Sequence, residues 1–509
     1  MPPENLTGKL SFSHPWQPDR GDGTYCNPVL YADYSDPDVV RVGEDFYLTA
    51  SSFTDTPGLP VLHSKDLVNW TLIGHALKNL PDASYEKVRP GCGVWAPAIR
   101  FHAGKYWIFY PTPDEGIFLV TASHPAGPWS EPHCVAAGKG LIDPCPLWDD
   151  DGQAYLVHAY AGSRAGIKHR VRVCPMAPDG SKLLGEGEVV FHQPEKHPTL
   201  EGPKFLKKDG WYYILAPAGG VETGWQVVLR SKNIYGPYED KIVLAQGGTD
   251  INGPHQGALV DTADGGWWFV HFQDDGIYGR IVHLQPVTWR DGWPLMGNNG
   301  EPVRRHQKPV SISGQKPAAP QTSDEFDSPR LGWQWQWHAN HRDNWHSLTA
   351  RPGRLRLFPL PAVNPLNEQP NLLLQKFPAR QFMVETELQL CATQSGEEAG
   401  MIIAGEKSAM LSILNEDADN WLVFRTDEAM EKIRRVGSQP VKLRATVGAG
   451  GLVSFSFDDD GKFVAIPQTF QAGKGKWIGA KIGLCCRRQS SEGSGGHAEV
   501  DYFRFSPGV

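Results

Sequence analysis

Three acidic residues stand at matched places in otherwise different surroundings: Asp36 in "YSDPD", Asp143 in "LIDPC" and Glu201 in "LEGPK". Each is followed by a proline, at once or after one glycine. Alone, an aspartate before proline is an ordinary turn or strand-entry residue, and a glutamate before Gly-Pro an ordinary loop charge. Three carboxylates gathered in one place behave differently. Their repulsion raises the pKa of at least one, which then keeps a proton near neutral pH beside an ionised neighbour. A protonated acid beside an ionised base is what glycosidic-bond hydrolysis needs: the acid protonates the leaving oxygen while the base draws a proton from water. Arg280, in "IYGRIVHL", offers a fixed fork of donors to sugar hydroxyls or to a carboxylate.

What would bring these residues together is a repeat. Five segments share one grammar of apolar strand, tight turn and aromatic-rich strand: "DVVRVGEDFYLTAS" from Asp38, "AIRFHAGKYWIFYP" from Ala98, "PLWDDDGQAYLVHA" from Pro146, "PKFLKKDGWYYILA" from Pro203 and "ALVDTADGGWWFVH" from Ala258. With Tyr47, Trp107, Tyr155, Tyr213 and Trp268 taken as equivalent, the intervals are 60, 48, 58 and 55 residues, one propeller blade each. Helical periodicity is almost absent, so five four-stranded blades are expected, an irregular sandwich being the weaker alternative.

In a propeller the first strand of each blade lines a central channel. The residues just ahead of those strands, "YSDPD", "VWAPA", "LIDPC", "LEGPK" and "NGPHQ", should therefore converge at one rim. The prolines Pro37, Pro97, Pro144, Pro203 and Pro254 suit strand entries, where a fixed φ and a missing donor do no harm. Asp36, Trp95, Asp143, Glu201 and His255 then share one mouth. Asp38 points to the other side of its strand start and reads as structural.

Composition narrows the partners. Of the 509 residues 40% are hydrophobic and 21% charged, and the net charge is -8, which argues against a nucleic-acid or anionic-membrane partner. Aromatic residues at 11% suit β cores and also the stacking of sugar faces. Eight cysteines in so long a chain form no secreted disulfide framework, no CxxC spacing occurs, and the vicinal Cys485–Cys486 has no evident role. The start "MPPENLTGKLSFSHPW" lacks a basic and an apolar leader region, and no run is long enough for a membrane helix. The sequence as it stands reads as cytoplasmic, unless a leader has been trimmed.

Residues 311–324, "SISGQKPAAPQTSD", read as a linker. They divide the chain into a propeller, 1–312, and a second domain, 313–509. Alternating runs such as "FMVETELQL", "VKLRATVG", "LVSFSFDDDGKFV" and "AEVDYFRFSP" make the second domain a β-sandwich. The fold class is all-β.

"SDPDVVRVGEDFYL", "HSKDLVNW", "GVWAPAIRFHAGKYWIFY", "IDPCPLWDDDGQAYLV", "LEGPKFLKKDGWYYI" and "YGRIVHLQPV" together resemble glycoside hydrolase family 43, from about residue 24 to 310. The second domain resembles the concanavalin-like (jelly-roll) module of that family's xylosidase and arabinofuranosidase branch, in which a sandwich loop approaches the active site. That likeness implies that the domain closes one wall of the pocket and restricts the site to chain ends, a polysaccharide-gripping module being the alternative. The resemblance implies a five-bladed propeller that hydrolyses with inversion, with Asp36 as general base, Asp143 as pKa modulator and orienter, and Glu201 as general acid. Trp95, Phe53 and Arg280 match positions that shape a shallow sugar pocket, and Asp38 departs from the serine common there. His255 matches a channel histidine that in some members contacts calcium or its water shell. A structural calcium in the sandwich is a further expectation, on the oxygens of Glu325, Asp327 and Asp501.

The implied activity is exo-acting release of terminal β-D-xylose or α-L-arabinofuranose from xylo- or arabino-oligosaccharides. A non-catalytic sugar-binding propeller and an endo-arabinanase are the alternatives. The fructan-cleaving propeller–sandwich group is set aside because glycine, not cysteine, follows Glu201. Oligomeric state is not legible.

Overall fold

The five repeated segments form five antiparallel four-stranded sheets, each built from strands consecutive in the chain. These come from a computed structural model that describes residues 14–491 and 495–508; the leader reading of residues 1–13 lies outside them. Blade I runs through Asp38–Val42, Asp45–Thr49, Gly58–Ser64 and Thr71–Leu77. Blades II, III, IV and V open with Ala98–His102, Leu141–Trp148, Lys204–Lys208 and His255–Asp261.

The two-residue period explains the wealth of aromatic residues. In Asp45–Thr49, Phe46 and Leu48 pack on one side with Trp70 and with Val270 of blade V. Tyr47 faces the other way, its ring 5.2 Å from Tyr106 of blade II. Each blade thus needs large apolar side chains on both faces. Ring closure uses added strands: Thr24–Cys26 pairs with Arg305–Gln307, and Leu30 bridges Val282 of blade V.

The inner strands are laced by buried polar side chains. Asp38, fully buried, accepts from Ile99 N (2.7 Å) and from Arg100 Nη1 (2.6 Å). Arg100 in turn donates to Cys145 Sγ at 2.8 Å. Asp38 is therefore a link between blades I and II, which is the structural role its strand-start position suggested.

The second domain is a sandwich of an eight-stranded and a seven-stranded sheet whose strands interleave in sequence. Cys485 and Cys486 lie on Lys481–Arg488, one turned to each face, and both are buried as free thiols. A vicinal pair is what alternation places in a strand covered on both sides. The sandwich core takes in Tyr31, Tyr278 and Ile281 of the propeller. A bridge between Thr56 and Trp337 and a buried Asp55–Lys481 ion pair also cross between the domains. The stretch read as a linker lies against blade I, Ala318 N donating to Asn69 Oδ1 at 2.8 Å.

Candidate active site

Asp36, Asp143 and Glu201 line one pocket of about 120 Å³ together with Phe53, Trp95 and Arg280. Asp36 and Asp143 directly precede their prolines and both adopt a left-handed backbone, with φ of 55° and 57°. That conformation is uncommon outside glycine and least costly for aspartate and asparagine. In blade III the first strand begins at Leu141, ahead of its proline, and the pairing shifts between Ile142 and Cys145. Asp143 sits in that irregularity, which turns its carboxyl toward the mouth. Glu201 stands one residue further from its proline, with Gly202 taking the left-handed place (φ 61°). Its side chain is 28% exposed against 6% for Asp36, so it reaches the open side of the pocket.

Asp36 is held from three directions. Oδ1 accepts from Arg280 Nη1 at 2.9 Å, and Oδ2 accepts from Ser35 Oγ (2.9 Å) and Ser51 Oγ (2.5 Å). Arg280 is fixed in its turn by Asp33, whose Oδ1 accepts from Arg280 N at 3.0 Å. Such a carboxylate is aimed and ready to accept a proton from a molecule in the pocket. Asp143 accepts from Gly202 N at 2.8 Å. Burial, then the charge of Glu201, raise its pKa to about 7, the Gly202 bond opposing and Asp36 adding. The Asp143–Glu201 pair therefore retains a proton near neutral pH.

The retained proton leaves as pH rises through about 7. Activity that needs it should then fall about tenfold per unit on the alkaline side. Asp143→Asn removes the carboxyl that holds this proton, so the falling limb should leave the region of pH 7. Rate–pH profiles of the two proteins check this, and an unmoved limb would remove Asp143 from the proton pair.

Phe53 lines the pocket from a two-bond bridge to Val94, both bonds 2.9 Å. A Cβ on Gly93 would lie 2.1 Å from Phe53 O, so only glycine permits that approach. Trp95 donates its indole N–H to Gly91 O at 3.2 Å and carries Arg164 over its ring at 5.3 Å. His255 is near the site without lining it. It is fully buried, with Nε2 3.4 Å from Glu201 Oε1. A register shift between His255 and Gly257 brings Gln256 to the pocket wall instead.

One wall comes from the other domain. Trp477 completes the pocket from a turn in which Gly475 N donates to Ile478 O at 2.8 Å. Gly479 N donates to Asp33 Oδ2 at 2.8 Å, so Asp33 ties both Arg280 and this turn in place. Trp477 itself has φ 66° and its ring lies 5.9 Å from the Arg280 guanidinium. A bulky residue in that region is strained, and strain of this kind concentrates at functional sites. Sequence reasoning missed Trp477, although a lone tryptophan among Gly473, Gly475 and Gly479, outside any alternating run, was a visible signal.

The expected metal ligands separate. Arg504 clamps both oxygens of Glu325, at 2.7 and 2.6 Å, and Arg354 lies 3.4 Å from Asp501. A cation on Glu325, Asp327 and Asp501 would have to displace two guanidinium groups, so this donor set does not fit calcium. Among the described residues no three His, Cys, Asp or Glu side chains gather as ligands. In the channel, His255 Nδ1 is buried without a hydrogen-bond partner, which fits a water of a hydrated cation.

Comparison with known proteins agrees with this architecture. Residues 25–294 match the model of glycosyl hydrolases family 43, and residues 323–506 match the beta-xylosidase C-terminal concanavalin A-like domain. A putative beta-xylosidase of Xylanibacter ruminicola is 44% identical over 76% of this chain and 72% of its own. A beta-xylosidase of Formosa agariphila is 33% identical over 96% of this chain and 91% of its own. A non-reducing end alpha-L-arabinofuranosidase of Bacteroides ovatus is also 33% identical, over 75% of this chain and 74% of its own. Among solved structures, a family 43 protein of the Bacteroides ovatus xyloglucan locus superposes with a TM-score of 0.84 at 27% identity, covering 95% of this chain and 100% of that one.

Proposed function

Because the chain belongs to glycosyl hydrolases family 43 and is a glycoside hydrolase, we propose that it removes single terminal pentoses, β-D-xylose or α-L-arabinofuranose, from xylo- and arabino-oligosaccharides with inversion. The observation that carries the reading is the division of labour among the carboxylates. Asp36, clamped by Arg280 and two serines, is the base that takes a proton from the attacking water. Glu201, at the open side, is the acid that protonates the departing oxygen. Asp143 touches the site through its proton and its field: it keeps the shared proton available to Glu201 and is bonded to the adjacent Gly202.

The pocket volume of about 120 Å³ is far below that of drug-sized sites and suits one small ring. Trp477 and Phe53 wall the pocket where an endo-acting enzyme needs an open groove. Relatives named for xylosidase and arabinofuranosidase activity support both sugars. A hydrated calcium ion in the channel, held through His255, would supply positive charge beneath Glu201.

Digestion of xylobiose, xylotriose and linear arabino-oligosaccharides, with products separated by chromatography, tests the proposal. Single pentoses released stepwise from the non-reducing end are expected. Internal fragments from the longer substrates, or no pentose from any of them, would overturn it.

A further inference from the structure

The chain has 18 tryptophans. Among the described residues two of them are openly exposed, Trp333 and Trp477, each at 44%. Trp477 stands in the catalytic mouth. Trp333 stands in a cleft of about 480 Å³ on the sandwich domain, which the hydrolytic site does not use. An exposed indole leaves a flat apolar face in water; singly that is ordinary, and what sets Trp333 apart is the cleft it stands in.

The cleft is built, not incidental. Trp333 stands in the turn that Trp335 N closes on Gly332 O at 3.2 Å, just ahead of the short strand Gln336–Trp337, and Trp333, Trp335 and Trp337 all line the cleft. Trp335 and Trp337 are 2% exposed and form a packed floor, with Trp337 5.4 Å from Trp345 and 5.6 Å from His346. Trp333 rises at the edge, its ring 6.1 Å from His75 of the propeller. Around this aromatic floor lie groups that bond hydroxyls: His341, His346 and Ser347 among the lining residues. His346 Nδ1 is buried without a hydrogen-bond partner. Burial holds the His341 pKa down at about 4 and lowers that of His346, so both imidazoles are neutral at pH 7. Asp343, the acid at the cleft, is paired with Lys78 at 3.1 Å.

A ring face to stack on, neutral imidazoles, an acid already paired, and a lone guanidinium, Arg330, able to donate to hydroxyls describe a site for a neutral sugar chain. Its position agrees. Phe53 lines the catalytic pocket and Pro57 the cleft. Four residues of chain span at most about 14 Å between them. We propose that this cleft is a second carbohydrate site, which holds a neutral xylan chain on the sandwich domain beside the pocket that trims chain ends. The choice of xylan rests on the substrate reading above.

The test is affinity electrophoresis of the full chain carrying Asp36→Asn, so that polymer is not digested, in gels with soluble linear xylan, with linear arabinan, or with neither. Xylan should retard the protein. Adding Trp333→Ala should weaken the retardation at least about tenfold, because it removes the one exposed ring face the cleft offers for stacking. Adding Trp477→Ala instead should leave it in place. Undiminished retardation without the Trp333 indole, or retardation lost with Trp477 alone, would place the polymer elsewhere and overturn the proposal. Stronger retardation by arabinan would overturn the choice of xylan. A dimer that Trp333→Ala converts to monomer in sedimentation, with no xylan retardation, would give the face to a second copy of the chain. Failure of the substrate reading shows separately, as no pentose release from xylobiose by the unmodified protein.

Discussion

Replacing Asp36 with alanine should lower turnover by about 10³-fold or more on every glycoside, whatever its leaving group. Attack by water is needed for each of them, and Asp36, held by Arg280, Ser35 and Ser51, is the carboxylate proposed to activate it. The loss should not come from unfolding. Ser35 still accepts from Arg280 Nη1 at 2.9 Å, and Asp33 still holds the Arg280 backbone. Because the alanine leaves a buried guanidinium short of its carboxylate, Asp36→Asn is the companion variant. It keeps the shape and an acceptor but cannot take the proton. Steady-state rates on xylobiose and on aryl xylosides, with melting curves for both variants, check the result. A near-normal rate in either variant would remove Asp36 from the mechanism.

Replacing Glu201 with alanine gives a different pattern. On xylobiose, whose leaving group is a sugar alkoxide, the rate should fall by about 10³-fold, because nothing protonates the departing oxygen. On a dinitrophenyl xyloside, whose leaving group is stable as an anion, it should stay within about tenfold of the parent. The Glu201 carboxyl makes a weak polar contact to His255 at 3.4 Å, and its side chain is part-exposed, so its removal disturbs little packing. Equal losses on both substrates would mean that Glu201 is not the acid. The contrast between the two variants separates acid from base without reference to structure.

Much of this arrangement was legible in the sequence because it is periodic. Five hairpins with aromatic second strands announced the blades, and the matched prolines announced that Asp36, Asp143 and Glu201 meet. The resemblance also implied that a sandwich loop would close one wall; what stayed hidden is which residue does so, and what irregular backbone does to the rest. A register shift in blade V sends His255 below the pocket and brings Gln256 to its wall, and nothing in "NGPHQ" marks the shift. Trp477 reaches the pocket because Asp33, far away in the chain, accepts from Gly479 N. Local pattern carries no record of such a contact. The expected sandwich calcium failed its fit for a similar reason: Glu325 and Asp501 do carry exposed charge, but Arg504 and Arg354 take it up.

The domain contact also explains why the pocket can be small. Thr56 N and O pair with Trp337 O and N at 2.9 and 2.6 Å, Ala480 N donates to Ile277 O at 2.7 Å, and propeller residues enter the sandwich core. The wall that Trp477 supplies is therefore set by a continuous core rather than by a hinged lid.

The most direct test of the proposed roles is the anomeric configuration of the first sugar released. Proton NMR spectra recorded in the opening minutes of xylobiose digestion, before mutarotation mixes the anomers, should show α-xylose from the β-linked substrate, as a water-activating Asp36 opposite an acidic Glu201 requires. β-Xylose appearing first would mean retention through a covalent intermediate, and would contradict both Asp36 as the base and Glu201 as the acid of an inverting hydrolysis.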